Sequence, residues 1–161
     1  MLRSLKYWVL DVDGTLTDGG VYYSDTGIEM KKFNIKDGAG ILLAQKAGMK
    51  IIVITGRESQ STKRRMEELS VDFLFQNVKD KARFLEKFSA EHNIDVEEIG
   101  YIGDDLNDLE SMKLVGFSAC PADACREVKK VANYISPVRG GCGAVREIIE
   151  YKLKENLRTG I

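Results

Sequence analysis

Tyr7-Trp8-Val9-Leu10-Asp11-Val12-Asp13-Gly14-Thr15-Leu16-Thr17-Asp18 is the stretch on which the reading of the fold turns. A short apolar run that stops at carboxylates and a glycine reads as a buried strand ending at a sharp turn. In an open parallel sheet, ligands gather beyond the carboxyl ends of the strands. Asp11 and Asp13 at such an end repel each other unless a cation or a shared proton holds them. The stretch therefore asks for a hard divalent cation, and Mg²⁺ with oxygen ligands is the natural candidate.

Outward from this strand, apolar or β-rich runs recur at 51–54, 73–75, 100–102 and 117–119. Amphipathic stretches of helical length separate them, at 40–47, 59–69, 80–92, 106–114 and 123–131. Strands alternating with helices predict right-handed crossovers and a doubly wound parallel α/β sheet covered on both faces. One segment breaks the rhythm. Residues 20–33, with Ser24-Asp25-Thr26-Gly27 in the middle, read as a β-hairpin inserted after the first strand. Its apolar residues make it a candidate interface or lid. Residues 1–161 are expected to form one domain, and the run beginning at Lys152 is expected to be a solvated helix end.

A chain of 161 residues with 43% hydrophobic and 30% charged residues can bury a real core but not two. Lys and Arg total 24 against 25 Asp and Glu, so no global field favours nucleic acid or anionic lipid as a partner. An anionic substrate must be held by a local basic cluster. No apolar stretch reaches membrane-spanning length, and the first ten residues are too short and too soon charged for a signal peptide. Cys120, Cys125 and Cys142 have no zinc-type spacing and are expected to be free thiols in a reducing cytoplasm. His92, the sole histidine, is read as a surface residue and Trp8 as core.

Chemistry-bearing residues cluster at the strand ends: Asp11 and Asp13, then Thr55-Gly56-Arg57, then Gly103-Asp104-Asp105 through Asp108, with Asp80-Lys81 before a helix. Each piece alone has a plain reading as a cap, a turn or a solvated helix residue. Together, on one edge of a parallel sheet, they supply carboxylates for a metal, a hydroxyl and an ammonium for phosphate oxygens, and a carboxylate free to attack. Attack by a carboxylate on phosphorus splits one hard displacement into two easier ones, and the remaining task is charge neutralisation.

Asp11-Val12-Asp13-Gly14-Thr15, Thr55, Lys81 and Gly103-Asp104-Asp105 through Asp108 resemble the four motifs of the haloacid dehalogenase superfamily. The resemblance implies a Rossmann-like sheet of haloacid dehalogenase type and a Mg²⁺-dependent phosphotransferase. It makes Asp11 the nucleophile, Asp13 the general acid/base, Thr55 and Lys81 the catalytic phosphate clamp, and Asp11, Asp13, Asp104 and Asp108 the metal site. Thr17-Asp18-Gly19, Asn34-Ile35-Lys36-Asp37-Gly38, Thr55-Gly56-Arg57 and Gly140-Gly141-Cys142-Gly143-Ala144-Val145-Arg146-Glu147 are further similar to the 3-deoxy-D-manno-octulosonate 8-phosphate phosphatases. That group lacks a cap domain and forms homotetramers through its hairpins. The resemblance implies substrate contacts from Asp13, Asn34, Ile35, Lys36, Asp37, Gly38, Gly56, Arg57, Arg65 and Lys81. Arg forks suit a substrate carrying carboxylate and phosphate, although Arg65 also reads as a solvated helix residue beside Lys63 and Arg64.

One departure stands out. Leu42 occupies a position where the group often carries a basic residue, which keeps a nonulosonic or sialic acid 9-phosphate open as substrate. Rival classes are a receiver domain, a phosphomutase and a silent assembly module for a cytidylyltransferase. A receiver lacks the second carboxylate of Asp13, a mutase needs a cap, and intact Asp11 and Asp13 argue against silence.

Overall fold

Alternate side chains of each central strand are buried on opposite faces, and the computed structural model, which describes residues 4–159, builds its layers on that period of two. In chain order the elements are β1 (Tyr7–Leu10), β2 (Tyr22–Tyr23), β3 (Glu29–Met30), α1 (Ile35–Lys46), β4 (Lys50–Ile54), α2 (Gln60–Glu68), β5 (Phe73–Phe75), α3 (Lys81–Glu91), β6 (Ile99–Ile102), α4 (Leu109–Leu114), β7 (Phe117–Cys120), α5 (Arg126–Val131), β8 (Tyr134–Ile135) and α6 (Ala144–Thr159). Six of the strands pair in parallel in the order β5-β4-β1-β6-β7-β8. The chain winds outward from β1 to β5, then crosses back to β6 and winds the other way. The switch lies between β1 and β6, so Asp11 and Gly103 leave adjacent strands side by side.

Trp8, Leu10, Ile51 and Val53 face a layer made by α1, α2 and α6. Val9, Ile52, Ile54 and Tyr101 face Leu85, Phe88, Met112 and Val128 from α3, α4 and α5. Trp8 meets Phe117 edge-on at 6.0 Å between ring centres. A Cβ on Gly100 would come within 2.6 Å of the Trp8 ring, so glycine is what lets the indole lie flat against its neighbouring strand.

The doubly wound α/β architecture agrees with the sequence reading, and no cap domain occurs among the described residues. Several boundaries differ. The first helix begins at Ile35 rather than near residue 40, because Asn34 caps it by accepting from the Lys36 N–H at 2.9 Å. Gly38 and Gly40 do not break it. A Cβ on Gly40 would sit 2.5 Å from the Arg146 Cα, so the small residue permits close packing of α1 on α6. The edge strand β8 was not expected: two residues offer no periodicity to read. The hairpin is real but short, two residues per arm, with Gly27 in the left-handed region at φ 80°.

Lys152 is a correction as well. Instead of lying on a solvated helix end it is buried, with Nζ 4.7 Å from the Phe117 ring centre and 2.5 Å from Glu155 Oε2. Its stem lies against apolar surface while the ammonium finds a ring face and a carboxylate. Lys152→Ala is therefore expected to lower unfolding stability by about 1–2 kcal/mol. The exposed neighbour Lys154→Ala should stay within about 0.5 kcal/mol. Denaturant titration of both variants checks the contrast.

Candidate active site

Backbone turns at the ends of β1, β4 and β6 deliver the acidic and hydroxyl groups, and the first residue of α3 delivers the cation. Asp11 follows β1, and its N–H donates to the Ile102 carbonyl at 3.0 Å, which ties it to the neighbouring strand. Lys81 Nζ donates to Asp11 Oδ1 at 2.5 Å and to Asp108 Oδ1 at 2.7 Å, with its side chain wholly buried. Asp108 is also fully buried and accepts from four donors: Lys81, the Tyr101 hydroxyl at 2.7 Å, and the N–H groups of Asp104 and Asp105 at 3.0 and 3.3 Å. The Thr15 hydroxyl donates to Asp104 Oδ1 at 3.2 Å and lies 3.5 Å from Asp11 Oδ2.

Asp11, Asp104 and Asp108 each bring one carboxylate oxygen within 4.8 Å of the others, a set that could hold a metal ion. Gly14 makes room for it. A side chain there would put Cβ 2.1 Å from Asp104 Oδ2, and its φ of 89° is open mainly to glycine. Burial, then the charge of Asp108, pushes the Asp11 carboxyl well above the ordinary carboxylate range, although Lys81 works against this. Burial pushes Asp104 up to about 6. Burial also opposes the Lys81 ammonium, but Asp11 and Asp108 outweigh it and hold its pKa above the usual value. Carboxylates that take up protons when alone are a fitting donor set for a hard cation, and Mg²⁺ prefers such oxygens.

Asp13 lies two residues on, half-exposed, and its carboxylate accepts from Lys31 of the hairpin rather than joining the three-carboxylate cluster. Any contribution of Asp13 to the metal therefore falls to its backbone carbonyl. Lys31 also donates to Glu29 at 3.3 Å, and the same Glu29 oxygen accepts from Arg57 Nη2 at 2.7 Å. Thr55 is buried one register step past Asp11, and its backbone pairs with Phe75 and Val78. Gly56 next to it abuts Asn107.

Around the start of α1 the expected substrate residues divide. Asn34 Nδ2 donates to the Gly141 carbonyl at 3.2 Å. Asp37 is buried, accepts from the Arg146 N–H at 3.2 Å, and is raised by burial to about 6. It caps the start of α6, an engagement that keeps it inside the protein. Ile35 and Lys36 are exposed, Ile35 at 83%, while Gly38 is buried beside the Arg65 guanidinium. Arg65 pairs with Glu68 at 3.3 Å on its own helix. The Gly140–Gly141 turn seals the floor: a Cβ on Gly140 would stand 1.8 Å from the Gly14 carbonyl. Sequence reasoning missed Lys31 and Tyr101. Lys31 falls in the alternating second arm of the hairpin, and Tyr101 in a strand that reads as plain core.

Residues 74–149 match the haloacid dehalogenase-like hydrolase family. The 3-deoxy-D-manno-octulosonate 8-phosphate phosphatase KdsC of Escherichia coli K12 is 35% identical over 151 residues, 94% of this chain and 80% of that protein. The chain belongs to this phosphatase family. A solved relative from Moraxella catarrhalis, in complex with magnesium, phosphate and KDO, superposes with a TM-score of 0.91 at 35% identity, covering 97% of this chain and 91% of that one. The cobalt-bound phosphatase from Haemophilus influenzae gives 0.89 at 33% identity, covering 95% and 90%. Within this family Mg²⁺ is the cofactor, and the oxygen-only cluster of Asp11, Asp104 and Asp108 suits it.

Two outcomes follow from the cluster. Raised carboxyl pKa values mean that folding takes up protons here, so the contribution of Asp104 to stability is full below about pH 4 and is lost as pH rises through about 6. A cation replaces those protons. Excess Mg²⁺ should thus raise the melting temperature more at about pH 7.5 than at about pH 5, and Asp104→Asn should abolish the difference. Tyr101→Phe, which strips one donor from buried Asp108, should cost about 1–3 kcal/mol in metal-free denaturant unfolding.

Proposed function

We propose that the chain is a Mg²⁺-dependent phosphomonoesterase that hydrolyses 3-deoxy-D-manno-octulosonate 8-phosphate through an aspartyl-phosphate on Asp11, acting as a single phosphatase domain. The carrying observation is the buried Lys81 ammonium bonded to both Asp11 and Asp108 at the sheet's switch point, beside Asp104. Relatives named for this substrate, more than a third identical over nearly the whole chain, support the choice of sugar acid.

In this mechanism an Asp11 oxygen attacks phosphorus as the bond from phosphorus to the sugar oxygen breaks. Asp13 gives its proton to that leaving oxygen, then takes one from the water that attacks the phospho-aspartate and frees Asp11. Lys81 and Thr55 hold phosphoryl oxygens in line, and Lys81 keeps the nucleophile oriented through Asp11 Oδ1. Asp11, Asp104 and the Asp13 carbonyl, with Asp108 in support, would hold Mg²⁺, which would supply charge neutralisation for the phosphoryl group. Asp108, already accepting from four donors, serves mainly to hold Lys81 and the 104–105 backbone. Asn34, Lys36, Gly38, Gly56, Arg57 and Arg65 are assigned to the sugar acid by their likeness to the family's motifs.

The hairpin supports a homotetramer. Tyr23 and Ile28 are about two-thirds exposed, at 64% and 66%, on a two-stranded ribbon outside the main sheet. Such a ribbon is marginal in water without a partner. No helix among the described residues is long and apolar enough to cross a membrane, and we place the enzyme in the cytoplasm, where its sugar phosphate would be made.

Asp11→Asn should fold and lose turnover entirely, and Asp13→Asn should lose about 10²- to 10⁴-fold. Phosphate release from a panel containing the eight-carbon 8-phosphate, a nonulosonate 9-phosphate and a hexose 6-phosphate names the substrate. Preference for the nine-carbon acid would shift the reading to the alternative that Leu42 keeps open. Val21→Lys with Ile28→Lys should reduce the sedimenting mass, and an active wild-type monomer would overturn the tetramer.

A further inference from the structure

Lys31 carries the most unusual placement outside the residues assigned above. It directly follows β3 in an otherwise exposed hairpin, yet its side chain is only 3% accessible. A buried ammonium is costly unless paired. Here it bonds to two carboxylates, Asp13 and Glu29. Glu29 is fixed in turn: its carboxylate accepts from Arg57 at 2.7 Å, and its carbonyl accepts from the Ser61 hydroxyl at 3.2 Å. Past Lys31, the Thr17–Phe33 bridge ties the hairpin back to the loop that follows β1. The ammonium is thus held from the hairpin side by Glu29, itself fixed by Arg57 and Ser61, and it reaches in to Asp13.

Resting on the assignment of Asp13 as general acid/base, we propose that Lys31 is the positioning residue for Asp13. It selects one orientation of a carboxylate that is otherwise half open to solvent, and Glu29 and Arg57 fix Lys31 in place. A general acid must stand within hydrogen-bond reach of the oxygen it protonates. A freely rotating aspartate at 30% side-chain exposure spends much of its time elsewhere. Misplacement of a reacting group by an ångström is enough to lower a rate on the order of a hundredfold. The hairpin therefore reaches the reaction through its own chain, as well as carrying the apolar residues of a subunit contact.

The test compares Lys31→Met, Lys31→Arg, Glu29→Gln and Asp13→Asn in steady-state phosphate release with Mg²⁺ saturating. Lys31→Met is expected to lower kcat on the order of ten- to a hundredfold with KM within about threefold of wild type. Lys31→Arg should recover most of the loss, and Glu29→Gln should fall between. Lys31→Met added to Asp13→Asn should cost little more than Asp13→Asn alone, because the two act as a unit. Melting curves and sedimentation of each variant show whether a loss comes from unfolding or dissociation, and a loss confined to such variants would overturn the proposal. A raised KM with unchanged kcat would also overturn it, by making Lys31 a contact of the substrate anion. Wild-type rates in Lys31→Met, with Asp13→Asn inactive, would sink the positioning role and leave the acid/base assignment standing. Wild-type rates in Asp13→Asn would remove the assignment itself.

Discussion

One buried cation organises this protein. The Lys81 ammonium sits with no access to solvent between Asp11 and Asp108, and its two bonds cross from α3 to the ends of β1 and β6. An isolated charge there would cost several kcal/mol, and a pair recovers that only where the remaining lone pairs are satisfied. Asp108 meets this condition through Tyr101 and two backbone N–H groups. Asp11 is held differently: beside Lys81 it meets the Thr15 hydroxyl at 3.5 Å and the Asp104 carboxyl. The asymmetry separates support from chemistry. Asp108, with four donors, holds the cation and the turn, and Asp11 faces Asp104 across the metal cluster, which fits the nucleophile role proposed for it.

The close approaches around that pair are made by glycines. Gly14 lets the Asp104 carboxylate reach the turn after β1, and Gly140 lets the loop before α6 lie on the same turn from the other side. Asn34 and Asp37 then bind the 141–146 backbone to the start of α1. Distant parts of the chain thereby share one floor. A side chain at either glycine would push apart two elements rather than fill a void, so the cost would fall on the site before it fell on the core.

How much of this could be read beforehand depends on range. The buried strands and the residues at their ends were legible because an apolar run closing on Asp, Thr-Gly or Gly-Asp-Asp carries both the period and the stop. Trp8 as core follows from the same local rules. What stayed hidden was set by contacts remote in sequence. Lys31 looked like one polar position of an alternating arm, and only the hairpin's fold-back brings it to Asp13, 18 residues away. Lys152 looked solvated because the Phe117 ring that receives it is on β7, remote in sequence from α6. The turn of α1 before residue 40 was missed, because the Asn34 cap and the packing of α6 on Gly40 set where the helix starts. Tyr101 read as a core aromatic, and its hydroxyl matters only because Asp108 lies beneath it.

The two halves of the site differ in wetness, and the difference fits two-step hydrolysis. Asp11, Lys81 and Asp108 are buried, so the attacking side is dry and its charges act at full strength. Asp13 is half-exposed, at the edge where the hairpin rather than a cap domain meets the domain. In the proposed mechanism a leaving alcohol departs past Asp13 and a water arrives beside it. Burying that side as deeply as the first would trap the product, and leaving it fully open would let the carboxylate wander. A hairpin lysine resolves the conflict with little material: it fixes the carboxylate by a charge-assisted bond while leaving part of its surface to solvent. Among the described residues no cap domain covers this side, and the hairpin is a stretch of backbone that reaches it.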